Sequence, residues 1–188
     1  HELTYTGALD GAFDYSGYTF ILSNDIDLEK VQNTTKSTPG NIVYDYPLWL
    51  PIDVGNLGKN QNIVFDGNGY SIKGMHIVVD DKYPSLNVGF FANIIGGVIK
   101  NVNFVNPVIE YNYSATSYAE TDANRPSLPT DVCVGVVAGS ADSTYIQNVN
   151  IINPTIKFTT DNVNAHNFYV GTAVGKSSFT TVFENVLE

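Results

Sequence analysis

Short runs of apolar, β-prone residues recur along the chain and are separated by Asn, Gly, Pro and Asp. Examples are YTFILSNDIDL (18–28), NIVFDG (62–67), VIKNVNFV (98–105) and YIQNVNII (145–152). No stretch sustains apolar residues at the i, i+3, i+4 and i+7 spacing of an amphipathic helix. Because β-branched and aromatic residues favour strands while Asn, Gly and Pro favour turns, the pattern predicts an all-β protein.

The stretch VGFFANIIGGVIKNVNFVNPVI (88–109) is similar to two later stretches that begin at Val134 and Val170. The aligned residues are Gly89, Gly135 and Gly171, then Asn101, Asn148 and Asn185, then Asn106 and Asn153. The first two stretches are offset by 46 to 47 residues and the last two by 36 to 37. The polar, proline-containing stretch SATSYAETDANRPSLPT (114–130) accounts for the difference, which predicts a surface loop insertion there.

Self-similarity at such a period is typical of stacked repeats, in which each unit buries its apolar face against its neighbours. We therefore expect residues 1–188 to form a single β-solenoid domain. Strand alternation predicts that residues such as Val98, Val102 and Phe104 point into its core. An antiparallel β-sandwich is the alternative, because DGNGY (66–70) is a hairpin-turn signal.

Stacking would also place equivalent asparagines above one another at the turns. Asn101, Asn148 and Asn185 are expected to form an amide ladder, each side chain bonding to the next. Asn106 and Asn153 each precede a proline, a position that favours an extended backbone conformation before the next bend. These asparagines are interpreted as scaffold rather than as a catalytic site.

Four motifs occur in the order YTFILSNDIDL, PLWLPID, IVFDGNGYSIKGMHI and VGFFANIIGGVIKNVNF. This order resembles the GLUG-motif type of bacterial surface protein over most of the chain, from Tyr18 to Val186. The resemblance implies a right-handed parallel β-helix that belongs to a large secreted or cell-wall-attached protein, adhesin-like or of the IgA-protease type.

Three residues of these motifs have expected structural roles. Trp49, which lies between two prolines in PLWLP, is expected to pack as an apolar plug over an end or side of the helix. Gly67 and Gly69 are expected to permit positive φ in a turn. The chain is also expected to be a segment of a larger protein in which further coils or a cap follow.

The acidic charge of the chain excludes some classes of binding partner. It contains 19 acidic and 9 basic residues, and Arg125 is its only arginine. This argues against nucleic-acid binding, which relies on Lys and Arg. No apolar run approaches the roughly 18 residues of a membrane span, so direct membrane insertion is not expected. The acidic, weakly charged composition, rich in Asn, Thr, Ser and Tyr, favours an extracellular or cell-surface protein that meets glycans or other proteins. The lone Cys133 permits no intrachain disulfide and is interpreted as a buried apolar residue.

Candidate chemistry is sparse. Asn24, Asp25 and Asp27 lie close together in the sequence, and Ca²⁺ prefers such oxygen ligands, so Asp25 and Asp27 are candidate calcium ligands. A solvated acidic face is the alternative. A carbohydrate-active β-helix would need two carboxylates across a cleft, or, for a lyase, Arg or Lys to neutralise a uronate. The sequence identifies no such pair, so no catalytic residue and no further cofactor are assigned.

A binding surface is predicted at the insertion instead. Tyr111, Tyr113 and Tyr118 lie at its entrance, and exposed tyrosines suit both sugar stacking and protein contacts. The leading hypothesis is a non-catalytic adhesin, stalk or platform that presents this surface to a host or microbial surface protein or glycan. The alternatives are a polysaccharide lyase or hydrolase and a purely structural spacer.

Overall fold

The computed structural model describes residues 16–30, 49–53, 62–80, 86–112, 131–159, 167–178 and 180–188, and within these ranges the chain is all-β. The first strands are β1 (Thr19–Ile21), β2 (Ile26–Asp27), β3 (Ile52–Asp53), β4 (Val64–Asp66), β5 (Ser71–Lys73) and β6 (His76–Val79), and a 3-10 turn (Leu28–Lys30) follows β2. The later strands are β7 (Asn87–Val88), β8 (Phe91–Ile95), β9 (Val98–Val105), β10 (Val108–Tyr111), β11 (Asp131–Val134), β12 (Ala138–Asp142), β13 (Tyr145–Ile152), β14 (Thr155–Phe158), β15 (Asn167–Val170), β16 (Val174–Ser177) and β17 (Val182–Leu187).

The strands form four sheets, and neighbouring strands follow chain order in each. Sheet 1 has the order β1-β4-β9-β13-β17, with β5 also on β9 and β2 on β5. Sheet 2 is β6-β10-β14, sheet 3 is β7-β11-β15 and sheet 4 is β3-β8-β12-β16. Every strand pair in the described ranges is parallel, so the alternative of an antiparallel sandwich is wrong.

The register of these pairs follows the spacing found in the sequence. On β13, Val149 pairs with Val102 of β9 and with Val186 of β17. Gly89, Gly135 and Gly171 each follow one of three paired valines at the turns that enter sheet 4. A Cβ at Gly135 would lie 2.7 Å from the Val174 Cα, so the backbones approach too closely there for a side chain.

The core lies between the sheets and is filled from aligned positions. On β9, Ile99, Val102 and Phe104 are fully buried, whereas Val98 is only half-buried. The expectation for Val98 is therefore wrong, and Asn101 is the reason. Its φ of 54° places it in the left-handed region, which shifts the alternation of inward-facing residues by one position.

Two further expectations about turns need correction. Asn106 and Asn153 are not extended before their prolines but have φ values of 52° and 51°, a conformation that Asn tolerates better than most residues. Gly69 has the expected positive φ of 83°, but Gly67 does not have one. A Cβ at Gly67 would lie 2.5 Å from the carbonyl oxygen of Asn101, so close packing is what requires glycine there.

Trp49 packs against the side of an aromatic cluster beside β3. Its ring stacks on Phe90 with centroids 4.6 Å apart, and its Nε1 donates a hydrogen bond of 3.1 Å to the Phe90 carbonyl oxygen. Phe90 in turn contacts the rings of Phe65, Phe91 and Phe104. The indole therefore covers apolar surface while its N–H is satisfied, as the plug interpretation requires.

Candidate functional site

The 114–130 insertion lies in the chain between β10 of sheet 2 and β11 of sheet 3. We call the end of β10 the first root of the insertion and the start of β11 its second root. Tyr111 ends β10, and Tyr113 and Tyr118 lie outside the described residues. Tyr111 is 1 % exposed and stacks on Phe158 with centroids 4.8 Å apart. The expectation that Tyr111 is exposed for ligand stacking is therefore wrong, because its position on β10 faces inward, as does its partner Val79 on β6. Tyr111 anchors the root of the insertion.

The second root, at the start of β11, carries a polar cluster. The Asp131 carboxylate accepts a hydrogen bond of 2.8 Å from Asn167 Nδ2, and its other oxygen forms a short ion pair with Lys176 Nζ. The Lys176 ammonium also lies 4.9 Å from the centroid of the Tyr169 ring. Three strands, β11, β15 and β16, thus bring a carboxylate, an amide, an ammonium and a ring together. We call Asp131, Asn167, Tyr169 and Lys176 the root cluster.

The electrostatics in and beside the root cluster do not activate a nucleophile. The hydrogen bond from Lys176 to Asp131, with the charge of Asp131, raises the pKa of Lys176, so this amine stays cationic at neutral pH. Nearby, burial raises the pKa of the Cys133 thiol to about 11, which leaves little thiolate. Neither group is an activated nucleophile. The four side chains of the cluster are instead engaged with one another, which fixes the start of β11 against β15 and β16.

Sequence reasoning missed the root cluster, although a signal for part of it exists. Asp131 and Asn167 are 36 residues apart, which matches the offset between the last two similar stretches. Glu110 and Lys157, whose ion pair of 3.2 Å joins β10 to β14, are 47 apart, which matches the offset of the first two. A search for complementary polar residues at the repeat offset would have found both pairs.

The candidate calcium ligands lie in and next to β2, at the edge of sheet 1 that is formed by its first strands. Asp25 Oδ2 forms an ion pair of 2.7 Å with Lys73 Nζ, and Asp25 Oδ1 accepts a hydrogen bond of 2.9 Å from the Ser71 amide. These two donors lower the pKa of Asp25, the lysine hydrogen bond being the larger effect. Asp27 is half-buried on β2, where its register partner is again Lys73. Calcium at this pair stays a prediction, and the lysine already neutralises one of the two carboxylates.

Asp66 and Asp53, two further carboxylates, also lie against hydrogen-bond donors. Asp66 accepts hydrogen bonds from the Asn68 amide at 2.8 Å and from Asn101 Nδ2 at 3.1 Å, and it pairs with Lys100 at 3.2 Å. Burial on its own would raise the pKa of Asp66, but these donors together lower it. Asp53 accepts from an asparagine amide at 3.3 Å. Such contacts are typical of carboxylates that hold turns and strands together.

A second polar cluster, rich in hydroxyl groups, lies between the ends of β12 and β16. Ser143 Oγ donates to Asp142 Oδ1 at 3.1 Å and lies 3.0 Å from Thr180 Oγ1, and Ser178 Oγ lies 2.9 Å from the same Thr180 oxygen. The hydrogen bond from Ser178 is the largest of the effects that lower the pKa of Asp142. The cluster links one turn to the next, and sequence reasoning did not identify it.

The amides of Asn101, Asn148 and Asn185 stack across three strands. Asn148 Nδ2 donates to Asn101 Oδ1 at 3.1 Å, and Asn185 Nδ2 donates to Asn148 Oδ1 at 3.0 Å. A parallel contact of 2.7 Å joins Asn150 to Asn103. All three ladder residues have left-handed φ values between 51° and 54°. Their side chains are occupied with one another, which is a structural role.

Two features are absent from the described residues. No group of three or more His, Cys, Asp and Glu side chains in these ranges is arranged to hold a metal ion. In the same part of the chain, no helix is long and apolar enough to cross a lipid bilayer.

The chain matches no protein-family model, no curated protein and no solved structure. The resemblance to GLUG-motif proteins therefore stays a prediction.

Proposed function

We propose that this chain is a non-catalytic, right-handed β-solenoid segment of a secreted or cell-surface protein. In this role it is a rigid stalk or platform that presents a binding surface around the 114–130 insertion. The ligand would be a surface protein or a neutral glycan of a host or a microbe.

The observation that carries the solenoid is the order in which the chain visits the sheets. From β6 to β17 the strands fall in sheets 2, 3, 4 and 1, and this cycle is completed three times. Each return to a sheet places the new strand beside and parallel to the previous one, in a register that aligns equivalent residues. A chain that winds repeatedly through the same sheets in the same order is what a β-solenoid requires. The right hand of the coil is taken from the resemblance to GLUG-motif proteins.

The polar contacts support a scaffold rather than a catalyst. Asp25, Asp66 and Glu110 each contact a lysine on a neighbouring strand, and the stacked asparagines bond to one another. These contacts fix strands against strands. The net charge of −10, with a single arginine, fits an extracellular setting and a ligand that is not a polyanion.

The insertion is the proposed binding element because both of its roots are held. Tyr111 is buried at one root, and Asp131 is fixed by Asn167 and Lys176 at the other. A loop carried on such rigid ends can present a binding surface at low cost in entropy. Tyr118 belongs to the insertion and Tyr113 immediately precedes it in the sequence. These two residues remain the predicted contact points.

Ligand retention and ligand cleavage should be measured in one experiment. The protein is immobilised and exposed to panels of neutral and acidic glycans and of surface proteins, with and without Ca²⁺, and the eluted glycan chains are sized. A variant with a Gly-Ser linker in place of 114–130 is compared with a control variant, Asn93→Ala, on the outer face of β8. We expect retention of intact ligand by the wild type and the control and loss of retention by the linker variant.

Two results would contradict this proposal. Shortened glycan chains, produced by the wild type and abolished by Asp25→Asn and Asp27→Asn together, would make the protein a carbohydrate-active enzyme. Retention that survives the linker replacement would place the binding surface elsewhere on the solenoid. Equal thermal unfolding temperatures for the variants serve as the control for folding.

A further inference from the structure

The stretch DGNGY (66–70), which would close a hairpin in an antiparallel protein, forms a tight turn between β4 and β5. Asn68 and Gly69 are both exposed and have positive φ values of 52° and 83°. The Tyr70 amide donates a hydrogen bond of 2.8 Å to the Gly67 carbonyl oxygen and closes the turn. Two central residues with positive φ are typical of a type I′ turn, for which Asn-Gly is a preferred pair.

The Asn-Gly pair also has a chemistry of its own. The backbone nitrogen of the residue after an asparagine can attack the asparagine Cγ, and a side chain on that next residue hinders the approach. Asn68 is the only asparagine in the sequence that is followed by glycine. Asn106 and Asn153 are followed by proline, which has no N–H to deprotonate. Asn68 is therefore the asparagine at which the attack is least hindered by the next residue.

Three contacts of the folded turn oppose this attack. The Gly69 N–H donates to the Asn101 carbonyl oxygen at 2.8 Å, so the attacking nitrogen is directed toward β9 and keeps its proton. The side-chain amide of Asn68 donates to the Leu22 carbonyl oxygen at 3.4 Å, and the Asn68 N–H donates to Asp66 Oδ1 at 2.8 Å. The hydrogen bond from Gly69 must break before its nitrogen can react, so the turn has to open first.

We propose that Asn68–Gly69 is a site of spontaneous deamidation and isoaspartate formation, and that the contact of this turn with Asn101 on β9 sets the rate. The only co-reactant is water. The Gly69 nitrogen bonds to the Asn68 Cγ, the Cγ–Nδ2 bond breaks, and ammonia leaves with the proton from the Gly69 nitrogen, which gives a succinimide ring. Water then adds to one ring carbonyl carbon and breaks its bond to nitrogen. Opening at the backbone carbonyl gives isoaspartate, and opening at Cγ gives aspartate.

Conversion to isoaspartate removes contacts that join the turn to β9. The succinimide nitrogen has no proton to donate to the Asn101 carbonyl oxygen, and isoaspartate then adds a methylene group to the backbone before Gly69. The Gly69 carbonyl oxygen, which accepts a hydrogen bond of 3.1 Å from Asn103 Nδ2, is displaced with it. The new carboxylate also enters the turn that begins at Asp66, whose lowered pKa keeps it ionised at neutral pH. The modification is therefore a one-way loosening of β4 and β5 from β9.

Asp66–Gly67 is a second source of isoaspartate in the same turn. An ionised carboxylate resists attack by a backbone nitrogen, because the oxygen leaves readily only from the protonated acid. The Gly67 N–H is also bonded to the Lys100 carbonyl oxygen at 2.8 Å. The experiment must therefore distinguish isoaspartate at residue 66 from isoaspartate at residue 68.

The complete protein is incubated near neutral pH, folded or unfolded in guanidinium chloride, and aspartate and isoaspartate in the 66–70 peptide are quantified by mass spectrometry. The variant Asn68→Gly removes the reacting amide at a position where glycine tolerates the positive φ. Asn101→Gly keeps the carbonyl that accepts from Gly69 but removes the side chain that donates to Asp66 at 3.1 Å. Asn185→Gly is its matched control, because it removes another left-handed residue of the ladder, two contacts away from Asn101.

We expect residue 68 to convert in the folded protein roughly 10- to 100-fold more slowly than in the unfolded chain, because the turn must open first. Asn101→Gly should accelerate the conversion several-fold, Asn185→Gly should leave it unchanged, and Asn68→Gly should abolish the isoaspartate. Equal rates in the folded and unfolded chain, or equal effects of the two ladder variants, would overturn the inference. Isoaspartate that persists in Asn68→Gly, or no conversion of the folded protein over about ten half-lives of the unfolded-state reaction, would also overturn it.

Hydrogen exchange of the converted protein tests the structural consequence. The Asn103 N–H donates to the Tyr70 carbonyl oxygen at 3.1 Å, just after the turn. In the isoaspartate-containing fraction this amide should exchange at least roughly tenfold faster than in the unconverted protein, and the amides of β17 should not change. Equal exchange of the Asn103 amide in both fractions would contradict the loosening. Ligand retention by the insertion is measured separately, so either proposal can fail without the other.

Discussion

The strands β13 and β17 have the same pattern of side chains in the same register, yet one is buried and the other is not. Ile146 on β13 is fully buried between β9 and β17, and Phe183, its partner on β17, is 44 % exposed. The same holds for Val134 and Val170 on β11 and β15. Burial in this fold comes from a neighbour on each side of a strand, not from the apolar character of the residue itself. Stability should therefore fall from the central strands to the last ones.

The largest expected effect is a difference in the free energy of unfolding between core substitutions on β13 and on β17. Ile146→Ala should lower the free energy of unfolding by about 2–5 kcal/mol, because it leaves a cavity between two fixed neighbours. Phe183→Ala should cost about 1 kcal/mol or less, because much of that ring already contacts water. Chemical denaturation of both variants measures the difference. Equal losses would show that β17 is as well packed as β13.

A smaller difference is expected within the asparagine ladder. Asn148→Gly removes two side-chain hydrogen bonds and should cost about 1–3 kcal/mol, whereas Asn185→Gly removes one and should cost about half as much. Glycine is the matched substitution because both positions have a left-handed φ of 51°. Urea denaturation compares the two variants. If Asn185→Gly costs as much as Asn148→Gly, the amide contacts do not stabilise the fold as the ladder implies.

Asp66 accepts a hydrogen bond from Asn101, the first residue of the asparagine ladder, and its ionisation should make the free energy of unfolding depend on pH. The folded-state pKa of Asp66 is lowered, so its contribution is fully present above the unfolded pKa of about 3.9 and is lost as the pH falls through the folded value. Denaturation curves between pH 7 and pH 3 should show a smaller loss for Asp66→Asn than for the wild type. Asp25→Asn is the comparison, because the pKa of Asp25 is also lowered, but by Lys73 and the Ser71 amide rather than by contacts to the ladder. An unchanged profile for Asp66→Asn would contradict the assignment.

The smallest expected effect is on the alkylation rate of Cys133, which depends on how firmly β15 packs against β11. The thiol is 2 % exposed with a pKa of about 11, against 9.0 for a free thiol, so alkylation at pH 8 should be at least roughly 100-fold slower than in the unfolded chain. Tyr169 is its register partner on β15, and Tyr169→Ala should accelerate the reaction several-fold. Rapid alkylation of the wild type would show that β15 detaches easily.

The repeat could be predicted from the sequence because its period is a property of spacing alone. The stacking of Asn101, Asn148 and Asn185 followed from offsets that agree within each pair of similar stretches and from the tolerance of Asn for turns. The wrong assignment of Val98 as a core residue shows the limit, since one left-handed residue at Asn101 shifts the alternation without leaving a mark in the apolar pattern.

The candidate site was less predictable than the fold. Tyr111 was expected at the surface because of its tyrosine neighbours, but the register of β10 against β6 turns it inward. The pairing of Asp131 with Lys176 joins residues 45 apart on different sheets, which no local pattern indicates. Side-chain partners across turns depend on the three-dimensional winding of the chain, and a single sequence specifies this only through its repeats.

Residue-resolved hydrogen exchange under native conditions tests the central claim most directly. If a neighbour on each side confers stability, the amides of β9 and β13 should open only with global unfolding. The amides of β17, which donate to β13 on one side alone, should then exchange at least tenfold faster. Protection of β17 equal to that of β13 would contradict the account.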